Sequence, residues 1–73
     1  MADHRAAAIA ELESALAEHS AAWFQTKHLP LAGITGPVRA ANERIGVARN
    51  ELDRIAGIRT LMGNEEALRV ARG

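Results

Sequence analysis

Along residues 3–25, Ile9, Leu12, Leu16, His19 and Trp23 recur at alternating intervals of three and four, which sets them on one stripe of an α-helix. Alanines at 6, 7, 8, 10, 15, 17, 21 and 22 favour that helix, and Glu11, Glu13 and Glu18 keep its other faces in water. Asp3 stands where a carboxylate caps a first turn. A second stripe runs through Val38, Ala41, Ile45, Ala48, Leu52 and Ile55 with the same alternation. Its helix is predicted to open at Pro37, whose fixed φ and missing N–H suit the first helical position, with Thr35 or Gly36 as cap. It ends at Gly57 in a left-handed cap or runs on to Met62 and stops at Gly63, so the expected span is 37–57 or 37–62. Asn64, Glu65 and Glu66 then open a short third helix over 64–72, with Leu68 and Val70 inside it and Arg69 and Arg72 near its end.

Between the two stripes, residues 26–36 read as a connector broken by Pro30, Gly33 and Gly36. Eleven residues are long for a helix hairpin, so Leu29, Leu31 and Ile34 are expected to fold back over the open end of the pair. Nowhere do β-branched residues alternate with polar ones over five positions, which leaves no strand. The fold class that follows is all-α: an antiparallel helical hairpin with a short C-terminal helix, one small domain over residues 1–73. Alanines at 41 and 48 permit close approach of the helices. Charge favours the pairing, because residues 3–25 carry four acids and one arginine while 37–59 carry five arginines and three acids.

Composition changes the picture by making the core small. Hydrophobic residues are 48% of the 73, but sixteen of them are alanine, and Leu, Ile, Val and Phe together number sixteen. At about 25 cal/mol per Å² of buried apolar area, against roughly 1.5 kcal/mol of entropy per ordered residue, such a chain comes out close to zero alone. Association with copies of itself or with a larger protein assembly would close the gap.

Nine basic residues balance nine acidic ones, so no global charge drives the chain toward nucleic acid or anionic lipid. The absence of cysteine points to a reducing compartment. The N-terminal residues lack the pattern of a signal peptide, and the longest uncharged stretch, 29–38, is far too short to span a bilayer. The expectation is a protein that is not secreted by a signal peptide, has no membrane partner, and resides in the cytoplasm or within a virion.

The candidate chemistry is thin. His4, His19 and His28 show no metal-motif spacing, and His19 on the apolar stripe reads as a core or interface histidine. Ser14 and Ser20 lie within a helix, and Thr26, Thr35 and Thr60 near helix ends, none in a nucleophile elbow. Glu11 and Glu13, like Glu65 and Glu66, point to different helix faces. Gly33 and Gly36 precede a helix without the rest of a phosphate loop. No catalytic residue, cofactor or metal site is expected, and no enzyme.

Two binding readings remain. Residues 38–58 resemble a DNA-binding helix-turn-helix: with Gly46 at the turn, Ala41, Ile45, Val47, Leu52 and Ile55 fall on its small and apolar positions. That resemblance implies a small regulator whose DNA-binding residues are Arg49, Asn50 and Arg54, with Glu51 and Asp53 bringing opposing charge to the groove. In an uninterrupted helix, Gly46 instead asks for a closely packed partner. The leading expectation is a non-enzymatic helical assembly module, such as a small structural or accessory component of a phage particle. Its partner-binding residues are Trp23 and Phe24 at the connector end, with Val47, Ile58, Leu61 and Met62 on a second apolar face. A small inhibitor or antitoxin-like binding protein is a further form of that expectation.

Overall fold

A computed structural model of the chain describes residues 3–73. Among them lie three helices, α1 (His4–Thr26), α2 (Leu31–Ala56) and α3 (Asn64–Arg72), and no strand. The two long helices pack against each other as the expected hairpin, and α3 packs on both. Asp3 caps α1 as its position implies, its Oδ1 accepting from the backbone N–H groups of Arg5 at 3.0 Å and Ala6 at 3.1 Å.

The connector is shorter than expected. Only residues 27–30 lie between the helices, and α2 begins at Leu31, six residues before Pro37. Pro30 is the N-cap residue in place of Thr35 or Gly36, and Thr35 sits inside the helix with its hydroxyl donating to the Leu31 carbonyl at 2.8 Å. Pro37 therefore lies within α2. Gly36 removes part of the penalty, since the ring of a proline clashes with the Cβ of the residue before it and Gly36 has none. Gly33 serves a second need, because Leu29 folds onto it and a Cβ there would meet the Leu29 side chain at 3.3 Å.

At the other end, α2 stops at Ala56 because Gly57 takes the left-handed conformation, φ 71°. The N–H groups of Gly57 and Ile58 both donate back to the Asp53 carbonyl, which closes the helix. The alternative end at Gly63 is not used, and Gly63 instead caps α3.

The core gathers at this closed end. Ala8, Leu12 and Ala15 of α1 meet Ala48 and Leu52 of α2 and Leu68 and Ala71 of α3, with Ile9, Leu16, Ile45, Ile55 and Ala56 packed around them. Leu12 and Leu52 are the two large side chains that are fully buried. The alanines let the backbones approach, at the expense of buried apolar area. Charged contacts hold the elements in place. Arg44 of α2 donates to Glu11 at 2.9 Å, to Ser14 at 3.1 Å and to Glu18, bridging to three side chains of α1. Arg72 pairs with Glu13, and Arg49 donates to Asn64 at 2.9 Å, so α3 is tied to both long helices.

Candidate functional site

Heptad lines along the helices locate the surface that the fold leaves uncovered. On α2, Leu31, Val38, Ile45 and Leu52 follow one another at intervals of seven, which returns each to nearly the same face. Exposure rises along that line toward the connector: Leu52 is fully buried, Ile45 and Val38 are half-buried, and Leu31 is 78% exposed. On α1 the same happens through Ile9, Leu16 and Trp23, the first two packed against the core and Trp23 49% exposed. The cause is the length of α3, nine residues or about 14 Å, against about 39 Å for α2. It covers the closed end only.

The uncovered part of α2 forms an open groove of about 440 Å³, lined by Leu31, Ile34 and Val38 with Thr35, Arg39, Asn42 and Glu43 at its rim. Its single ion pair is the exposed Arg39–Glu43 contact at 3.6 Å, the i,i+4 partnership expected from spacing. Phe24, 67% exposed, stands nearby in the chain with the Lys27 ammonium 4.6 Å from its ring centre. Leu29, Leu31 and Ile34 do not fold back over the open end as the sequence implied. Leu31 and Ile34 are helical, and Leu29 and Leu31 remain exposed.

The six expected contact residues fall in three places. Trp23 and Phe24 lie in the last turn of α1 beside the connector. Val47 stands exposed in the middle of α2. Ile58, Leu61 and Met62 belong to the segment between α2 and α3, with Leu61 fully exposed and the other two half-buried. Because Gly57 ends the helix, these three do not continue a helical face from Val47. The residues that reading the sequence missed are Leu31, Ile34 and Val38 as the apolar lining of the groove, with Leu31 exposed and the other two half-buried. Their signal was available, since the intervals of three and four run unbroken from Leu31 to Ile55.

The helix-turn-helix arrangement is not formed over 38–58, because α2 passes through Gly46 without interruption. No side chain or neighbouring element lies within 4 Å of where a Cβ on Gly46 would sit. The residues proposed to read bases have other partners: Arg49 donates to Asp53 at 2.7 Å and to Asn64, and Arg54 donates to Glu51 at 2.5 Å. Asn50 is exposed on the same unbroken helix.

Hydrogen bonds to Glu11 and then to Glu18 raise the pKa of Arg44, and a hydrogen bond to Glu51 raises that of Arg54. Both guanidinium groups stay charged throughout any working range. Among the described residues no group of three or more His, Asp or Glu side chains converges as metal ligands would, and no helix is long and apolar enough to cross a membrane. His19 is half-buried on α1, while His4 and His28 are exposed. No protein-family model, curated protein or solved structure matches this chain.

Proposed function

We propose that this chain is a helical protein–protein assembly module without catalytic activity of its own. One observation carries the reading: two large side chains are fully buried, while Trp23, Phe24, Leu29, Leu31, Val47, Leu61 and Val70 are exposed. Each large apolar side chain moved out of water contributes about 1.5–3 kcal/mol, so a surface that covered several of them would add substantially to a small internal core. Four of the seven lie between Trp23 and Leu31, at one end of a molecule of 43 × 27 × 16 Å. Clustering of this kind marks a contact surface, whereas isolated exposed leucines do not. Most of the charged side chains are paired within the chain, which supports apolar rather than electrostatic recognition.

Sedimentation equilibrium combined with circular dichroism across a roughly hundredfold concentration range tests the reading. Helix content and unfolding midpoint that rise with association are expected. A chain that is helical, monomeric and equally stable at every concentration would overturn it.

A further inference from the structure

Two copies of this chain, we infer, pair through the uncovered line of α2, antiparallel about a two-fold axis that passes beside Val38. The inference rests on the assembly reading and names its partner. Its first support is area. A folded monomer of 7.8 kDa exposes about 4,400 Å², and this chain exposes 5177 Å². The excess, about 800 Å², is what each partner contributes to an interface of standard size. The radius of gyration agrees, 13.7 Å against about 11 Å for a compact chain of this length. As a single copy the molecule is too extended for its mass, by about the amount that one pairing would remove.

The second support is that the line is self-complementary, as a two-fold interface must be. Antiparallel pairing centred on Val38 sets Val38 against its copy and Leu31 against the partner's Ile45, over about 21 Å of helix. The half-buried end of one line thereby meets the exposed end of the other. The rim tolerates the arrangement, because each Arg39, which lies beside its own copy next to the axis, is already paired with Glu43 of its own chain at 3.6 Å.

The chain contains no cysteine, so Val38→Cys introduces a single thiol at the axis, where two copies can join through a disulfide. The test compares its oxidation with that of Leu61→Cys, a fully exposed position remote from the groove, alongside sedimentation of the unaltered chain and of Val38→Glu. A dimer of the unaltered chain is expected. Val38→Cys should crosslink faster than Leu61→Cys by roughly tenfold or more, and Val38→Glu should remain helical but monomeric. An associating chain whose two thiol variants crosslink at equal rates would overturn this interface and leave the assembly reading standing. So would a Val38→Glu chain that stays dimeric. A chain monomeric at every concentration would overturn the pairing, and the assembly reading with it if its stability were also independent of concentration.

Discussion

Replacing Gly46 with alanine separates what the single chain needs from what an interface needs. Gly46 lies inside α2, exposed, with open space where a Cβ would be. Nothing in the isolated fold opposes the added methyl group, and the backbone gains the difference in helix propensity, about 1 kcal/mol. Unfolding entropy near 2.1 cal/mol/K per residue, over 73 residues, converts that gain into a rise in melting temperature of about 6 °C. Thermal unfolding followed by circular dichroism at the lowest workable concentration, where the chain is monomeric, measures it. Association should change little, since Gly46 lies one residue past Ile45 and about 100° around the helix from the paired line. A Gly46→Ala chain that melts lower than the parent at high dilution would refute the reasoning, because it would show the space at Gly46 filled within the single chain.

Leu52→Ala should unfold the hairpin at moderate temperature, since it empties one of two fully buried leucines, a loss of about 2–5 kcal/mol, read by urea titration. Gly57→Ala forces an alanine into φ 71° and should cost about 1–2 kcal/mol, again by urea titration, with the C-terminal turn of α2 losing protection first. Arg44→Gln removes the bridge to Glu11 and Glu18, so the unfolding midpoint should fall at low ionic strength, and the deficit should vanish near 1 M salt. Because the folded state raises the Arg44 pKa, its contribution is complete at every pH below the ordinary arginine value and is lost only above it. Parent and variant should therefore differ by the same amount at neutral and mildly alkaline pH. Amide exchange at residues 31–36 should be faster than at 48–56 in dilute solution and should slow as the concentration rises.

Where the sequence could be read, periodicity did the reading, and where it misled, single residues outweighed periodicity. The first helix and the pairing of the long ones follow from intervals of three and four, the third helix from its acidic start and basic end, and the structure shows all of them. Arg39–Glu43 and Arg49–Asp53 stand at i,i+4 in the sequence, and both pairs form. The start of α2 was misplaced because Gly33, Gly36 and Pro37 are each poor helix formers, although Leu31 and Ile34 continue the interval pattern without a break. Two local facts overrode propensity there: the missing Cβ on Gly36 and the seating of Leu29 on Gly33. Reading Ile58, Leu61 and Met62 as part of a helical face failed for the converse reason. Gly57 ended the helix before the pattern reached them. Exposure at the connector end could not be deduced from spacing, because it depends on how far along the groove α3 lies.

The residues that obscured the start of α2 also weaken it, and this ties assembly to folding. Relative to alanine, Gly33 and Gly36 each cost about 1 kcal/mol of helix stability and Pro37 about 3, all within the first seven residues of α2. Burial compensates little of this, since Leu29 and Leu31 remain exposed and the buried residues of α2 start farther along, at Ala41, Ala48 and Leu52. The closed end of the hairpin is therefore held by its core and by Arg44, Arg49 and Arg72, while the connector end has the least favourable backbone and the largest uncovered apolar surface. A partner laid along residues 31–45 would supply the missing contacts where the helix is weakest. Binding there would shift the first turns of α2 from marginal to formed, so the helix content of that segment and the occupancy of the groove should rise together.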